Sequence, residues 1–139
     1  MSDPEGLLDT STLLLSPRID PASLPQLARI SAVTLAELSV GPLVAEDPAE
    51  QASRTAHVQQ AESDFDPLPF DADAARAFGR VAASLRRSGR KARARAFDAL
   101  IAATAIANGL PLYTCNPADF EGVEGLVVRS VPHPDDIRS

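Results

Sequence analysis

Cysteine and aromatic residues are scarce in this sequence of 139 residues. Cys115 is the single cysteine, there is no tryptophan, and tyrosine occurs once. One cysteine excludes an intramolecular disulfide framework and a zinc site built from several cysteines. Lysine is equally rare, since Lys91 is the only one. The scarcity of lysine argues against catalytic sites that require a lysine side chain close to an aspartate.

Long apolar runs are missing as well. No stretch approaches the roughly 18 apolar residues of a membrane span, and the first residues lack the basic and apolar regions of a signal peptide. A cytoplasmic location is therefore expected. The hydrophobic content of 45% and the charged content of 23% are typical of a soluble globular protein. We predict one domain over residues 1–139, with a core at about 5–131 and a flexible tail at 132–139.

Short apolar segments alternate with helical patterns along the chain. Strands are predicted over residues 5–9, 29–32, 110–114 and 126–131, with a short edge strand over 68–70. Helices are predicted after Thr10 or Ser11, around Glu37, and over about 48–62, 71–87 and 92–108. This alternation favours a three-layer α/β/α fold with a mostly parallel central sheet. Sites in such folds form at the carboxyl ends of the strands.

Four carboxylates stand in or beside these apolar segments, namely Asp9, Glu37, Asp98 and Asp119. A carboxylate buried in an apolar environment carries a large free-energy cost unless it is paired or bound to a metal. Asp9 and Asp119 both follow predicted strands, so they are expected at the same edge of the sheet. Clustered oxygen ligands select hard cations such as Mg²⁺ or Mn²⁺, and a metal-activated water can attack a phosphodiester.

Each acid also has a simpler explanation. Asp9 can cap the following helix, and Asp98 can complement a helix dipole or pair with Arg95. Asp119 lies in a segment typical of a turn, which for this residue alone is the better explanation. Glu37 is harder to explain, because its helical neighbours offer no positive charge. Together the four acids favour a metal site over four unrelated roles.

The net charge of −6 is unusual for a protein that handles nucleic acid, but the basic residues are unevenly distributed. Six of the thirteen fall within ten positions: Arg86, Arg87, Arg90, Lys91, Arg93 and Arg95. A solvated helix face is the ordinary interpretation of such a cluster. A patch that contacts phosphates is the alternative, and arginine suits bidentate phosphate contacts well.

Four segments in this order resemble the successive motifs of PIN-domain ribonucleases, and most of all the VapC-type toxins of bacterial toxin–antitoxin pairs. They are Leu7–Ser11, Ser31–Leu38, Asp98–Ala105 and Leu112–Phe120. The resemblance spans residues 5 to about 128. It implies an endoribonuclease that depends on Mg²⁺ or Mn²⁺, acts on RNA, is often a homodimer, and is inhibited by a cognate VapB-type antitoxin.

The resemblance also implies roles for individual residues. It places three acids in the metal-binding centre: Asp9, Glu37 and Asp98. The fourth position stays open between Asn116 and Asp119, because some members carry an acid where Asn116 stands. The family often has a basic residue at the position of Cys115, so one phosphate contact is expected to be missing here. Supporting hydroxyl groups are expected from Thr10, Ser11 and Thr114.

Other functions remain open. Phosphotransfer receivers and haloacid-dehalogenase-like phosphatases also place acids at strand ends, but both need a lysine near the site, and Lys91 lies at a predicted helix–helix turn. The phosphatase would also need an aspartate where Ser11 stands. Two alternatives are closer to the function that the resemblance implies. One is a PIN-fold nuclease that cuts single-stranded DNA or RNA outside a toxin pair, and the other is a non-catalytic PIN-like binding module.

Overall fold

A four-stranded sheet forms the centre of the molecule. The computed structural model describes residues 2–90 and 95–136. In chain order the strands are β1 (Glu5–Leu8), β2 (Leu27–Arg29), β3 (Leu112–Thr114) and β4 (Val128–Ser130). They lie side by side in the order β2-β1-β3-β4, and every pairing is parallel. The predicted α/β class with a mostly parallel sheet is therefore confirmed.

In the described part of the chain, five α-helices accompany the sheet: α1 (Thr10–Leu15), α2 (Ala32–Val40), α3 (Pro48–Asp64), α4 (Ala72–Arg87) and α5 (Ala96–Ala107). Each of the first four helices follows an N-cap residue whose side chain accepts a hydrogen bond from a backbone N–H of the first turn. The N-cap residues are, in chain order, Asp9, Ser31, Asp47 and Asp71. Such capping satisfies N–H groups that have no partner inside the helix. None of the helices within the described residues combines the length and the apolarity that a membrane crossing requires.

The prediction for the second strand was wrong in its position. The strand was expected over residues 29–32, but it ends at Arg29, and Ser31 is the N-cap of α2. The Ser31 hydroxyl accepts the backbone N–H of Thr34 at 3.1 Å, which starts the helix at Ala32. The predicted edge strand over 68–70 is also absent from the described structure. Only Leu68 pairs there, through one isolated parallel bridge to Ser31.

Side chains of successive strand residues leave the sheet on opposite sides, and both sides are covered. On one side Leu7 and Leu112 pack in a cluster with Ile101 of α5, and on the other Leu8 and Tyr113 pack with Ile19 and Val131.

Helix α5 holds a central position in this packing. Its own alanines, Ala99 and Ala103, pack against Val81 and Leu85 of α4. The small alanine side chains allow the two helices to approach closely. Buried between the sheet and α4, α5 has a fixed position, and its first turn carries Asp98.

Candidate active site

Asp9 lies directly after β1 and is 5% exposed. Its Oδ1 accepts the backbone N–H of Thr12 at 3.1 Å, and its Oδ2 accepts the hydroxyl of Thr114 at 2.7 Å. The first contact caps α1, which is the simpler explanation that the sequence offered for Asp9, and the helix begins at Thr10 rather than after Thr10 or Ser11. The second joins the ends of two neighbouring strands. Both oxygens are therefore held in place by neutral donors, with the charge of the carboxylate left for another partner.

Glu37 projects from α2 toward the start of α1. Its Oε1 accepts the hydroxyl of Thr10 at 2.7 Å, and the oxygen of that hydroxyl lies 3.0 Å from the hydroxyl oxygen of Thr34. Burial raises the pKa of Glu37, the Thr10 hydrogen bond opposes this, and the negative charge of Asp9 raises it further. The carboxylates of Glu37 and Asp9 thus share one electrostatic environment.

Asp98 is in the first turn of α5 and is half-buried. Burial, and after it the negative charges of Asp119, Asp9 and Glu37, raise its pKa from 3.8 to about 6, while Arg95 acts in the opposite direction. Asp98 thus lies close enough to the other three candidate acids for their charges to act on its carboxyl group. The fold therefore brings together carboxylates from four separate parts of the chain.

Asp119 lies in a 3-10 turn, Pro117–Phe120, that follows β3. Its Oδ1 accepts a hydrogen bond from Nη1 of Arg95 at 2.7 Å, and the same nitrogen lies 4.0 Å from Oδ2 of Asp98. The ion pair between Asp119 and Arg95 connects the turn to the beginning of α5. Asp119 thus faces the acidic group but already has a positive partner.

Asn116 is exposed and holds the same turn in place. Its Nδ2 donates to the hydroxyl of Ser11 at 3.1 Å, and its backbone N–H donates to the Thr114 hydroxyl at 2.9 Å. Thr114 therefore accepts from the turn and donates to Asp9. Two of the hydroxyl residues expected from the sequence, Ser11 and Thr114, contact Asn116 or Asp9.

Two further buried hydroxyls were not predicted. Thr34 contacts Thr10, and the hydroxyl of Thr12 accepts the backbone N–H of Cys115 at 3.0 Å. The only signal in the sequence was a threonine inside an apolar segment, which is too common to single them out. Burial raises the pKa of the Cys115 thiol, so this cysteine is neutral at physiological pH.

Two arginines of the basic cluster pair with acidic residues of the segment that follows Asp119. Arg87 pairs with Glu124 at 2.7 Å, and Arg90 pairs with Glu121 at 3.0 Å. Arg86 is exposed on α4, whereas Lys91 and Arg93 lie outside the described residues. Sequence reasoning missed these pairs because the partners follow 37 and 31 positions later in the chain.

The donor chemistry of the site suits a hard cation. Carboxylate and hydroxyl oxygens line the site, and a positive charge would relieve the mutual repulsion of the carboxylates. Within residues 2–90 and 95–136, however, no three or more His, Cys, Asp or Glu side chains are arranged to enclose a metal ion. Mg²⁺ usually keeps several waters and takes one or two carboxylates directly. A cation at these acids would therefore have to be held partly through water.

The sequence matches known proteins over most of its length. The family described as the PIN domain matches residues 7–126. Ribonuclease VapC5 of Mycobacterium tuberculosis is 37% identical over 123 residues, which cover 86% of this chain and 88% of that protein. The tRNA(fMet)-specific endonuclease VapC of Shigella flexneri is 35% identical over 127 residues, covering 86% of this chain and 92% of that one.

The fold agrees with these matches. The crystal structure of VapBC-5 from Mycobacterium tuberculosis, a member of the VapBC family of toxin–antitoxin systems, superimposes with a TM-score of 0.79. The sequences are 35% identical, and the match covers 92% of this chain and 99% of that chain. Sequence and fold lead to the same conclusion, and the chain belongs to the PIN-domain family, among its VapC-type members.

Proposed function

We propose that this protein is a metal-dependent endoribonuclease that acts as the toxin of a VapBC-type pair. The observation that carries the proposal is the convergence of Asp9, Glu37, Asp98 and Asp119 at one edge of a PIN fold. Four carboxylates at one place are costly unless a cation is present. The names of the relatives, ribonuclease and endonuclease, support RNA as the substrate.

In this proposal Asp9, Glu37 and Asp98 hold Mg²⁺ or Mn²⁺, directly or through water, and Asp119 is an outer member of the group. The bound cation would supply an activated water and stabilise the oxygen that leaves the phosphodiester. Thr114 and the Thr12 backbone N–H keep Asp9 oriented, and Thr10 does the same for Glu37. The raised pKa of Asp98 would fall again beside a cation, because positive charge favours the ionised carboxylate.

The test is RNA cleavage by the purified protein with Mg²⁺, with Mn²⁺, and with excess EDTA. We expect cleavage only with added metal, and a loss of at least about a hundredfold in Asp9→Asn and in Asp98→Asn. Asp66→Asn, which changes an exposed aspartate outside the site, is the matched control and keeps its activity. Full cleavage in EDTA, or by both site variants, would contradict the proposal.

Parallel assays on single-stranded RNA and DNA of the same sequence address the alternative substrates. Cleavage of DNA alone would favour a nuclease outside a toxin pair. If the folded protein binds RNA without cleaving it under any metal condition, the non-catalytic binding module is the better description.

The proposed partner is a VapB-type antitoxin, and the proposed assembly is a homodimer. The solved structure of VapBC-5, a member of the VapBC family of toxin–antitoxin systems, supports the first part. A small reading frame beside the gene, coding for a DNA-binding protein with an extended tail, would be the candidate antitoxin. Co-expression should yield a complex in which RNA cleavage is suppressed. Light scattering coupled to size exclusion would show whether the free protein is a dimer.

A further inference from the structure

Arg95 is the positive charge inside the acidic group. Its Nη1 hydrogen-bonds Oδ1 of Asp119 at 2.7 Å and lies 4.0 Å from Oδ2 of Asp98. The second distance is too long for a hydrogen bond but short enough for strong attraction between opposite charges. In residues 2–90 and 95–136, the ion pairs made by the four carboxylates all come from this one guanidinium. Arg95 therefore occupies the position where a compensating cation is needed.

The placement of Arg95 allows it to leave. It stands directly before Ala96, the first residue of α5, and its side chain caps no helix N–H. The Arg95 side chain is 36% exposed, so moving its guanidinium outward requires little additional opening of the protein. An ion pair that is partly exposed contributes little to folding stability. The contact can thus be exchanged for another one without disturbing the core.

We propose that Arg95 is an internal counter-ion of the acidic site, and that it releases Asp119 and Asp98 when a divalent cation binds. This inference rests on the metal dependence in the proposed function. Arg95 and the cation compete because both carry positive charge and both are attracted by the same carboxylates. The competition lowers the affinity of the protein for the metal. It also frees a guanidinium beside the site once the metal is present.

Mn²⁺ binding measured by calorimetry tests the competition in the absence of RNA. We expect Arg95→Gln to bind Mn²⁺ about fivefold more tightly than the wild type, which is the effect of removing one partly screened charge. Arg76→Gln is the matched control, because Arg76 also pairs with an aspartate three positions away, Asp73, but on the exposed face of α4. It should bind Mn²⁺ as the wild type does. Equal or weaker binding by Arg95→Gln would overturn the inference.

A second measurement needs no variant protein. In wild-type protein, the side-chain Nε–H signal of Arg95 should shift during a Mg²⁺ titration followed by NMR, while that of Arg76 should stay in place. An Arg95 signal that does not move at saturating Mg²⁺ overturns the exchange, with metal dependence intact. If the wild type binds neither ion, both the inference and the metal dependence of the proposed function fail.

Discussion

At the scale of single residues, the orientation of Asp9 depends on Thr114. This fully buried threonine donates to Asp9 Oδ2 and accepts the backbone N–H of Asn116. Thr12 is equally buried, and its hydroxyl likewise accepts a backbone N–H, that of Cys115. Only the Thr114 hydroxyl contacts the carboxylate. The two residues therefore form a natural pair for separating positioning from stability.

Replacing Thr114 by valine is expected to lower kcat about tenfold or more with a smaller change in KM, because Asp9 loses the hydroxyl that orients it. Thr12→Val keeps the Thr12 backbone N–H contact to Asp9 and should retain nearly normal kcat. Both variants should lose about 1–3 kcal/mol of unfolding free energy, since each leaves a backbone N–H without its partner. Steady-state kinetics and urea unfolding would check this. Similar kinetics for both variants would remove Thr114 from the positioning of Asp9.

Asp98 gives the metal-free protein a predictable pH dependence. Its pKa in the folded state is about 6, above the ordinary 3.8. The protonated form is thus favoured by the fold, and this contribution to stability is present below about pH 4 and is lost as the pH rises through 6. In EDTA, Asp98→Asn should gain stability relative to the wild type between pH 4 and 7. Thermal unfolding of both proteins across that range measures it, and a constant difference would contradict the shifted pKa.

At the scale of elements, the packing of β1 against β3 requires a glycine. A Cβ added at Gly6 would lie 2.7 Å from two ring carbons of Tyr113 and 3.1 Å from Cβ of Pro25. The ring cannot easily move, because the Tyr113 hydroxyl donates to Asp3 Oδ2 at 2.6 Å and accepts the Asp3 backbone N–H at 2.8 Å. The segment 6–9 therefore contains a packing constraint, at Gly6, as well as a catalytic candidate, Asp9.

Gly6→Ala is expected to reduce the unfolding free energy by about 1–3 kcal/mol, the usual cost of an added methyl group in a packed core. Gly79→Ala provides the opposite control. No atom lies within 4 Å of its added Cβ in α4, so this change should stabilise the protein by about 0.5–1 kcal/mol through helix propensity. Chemical denaturation of the two variants tests both signs. A stable Gly6→Ala protein would show that Tyr113 can move away.

At the scale of the whole molecule, the proposed function requires an acidic protein with a net charge of −6 to attract a polyanion. Arg87 and Arg90 pair with acidic residues of the segment after β3, so each of these two arginines offers a phosphate contact only in exchange for an ion pair. Exposed pairs of this kind contribute little to stability and can be exchanged at low cost. Arg87 and Arg90 could therefore exchange these ion pairs for phosphate contacts in the proposed RNA binding.

Arg87→Gln, prepared in an Asp98→Asn background that should not cleave RNA, is expected to weaken RNA binding and reduce the slope of log K against log salt by about 1. Arg129→Gln is the matched control, because Arg129 also pairs with an acid, but that acid, Asp3, lies before β1, whereas Asp9 lies after it. Its slope should remain unchanged. Fluorescence anisotropy at several salt concentrations gives the slopes. Equal slopes for Arg87→Gln and its parent would exclude Arg87 from RNA binding.

The sequence by itself determined the class of fold and the candidate acids. Apolar strands alternate with capped helices, and local chemistry such as the Asp9 cap is encoded within a few residues. The sequence-based predictions were wrong at the boundaries of elements. Ser31, for example, is compatible both with the end of a strand and with a helix N-cap. A single hydrogen bond decides between the two, and no periodicity in the sequence reports that bond.

Only the tertiary structure decided how the candidate residues are connected. It joined Asp9 to Thr114 and Asp119 to Arg95, and it brought the basic cluster to the acids near residue 121. The physical reason is the separation along the chain of the residues that interact. Capping and periodicity act between residues a few positions apart, whereas ion pairs and buried hydrogen bonds join residues 24 or 105 positions apart, as in the pairs made by Arg95 and Thr114. Such contacts exist only after the sheet and α5 have packed together.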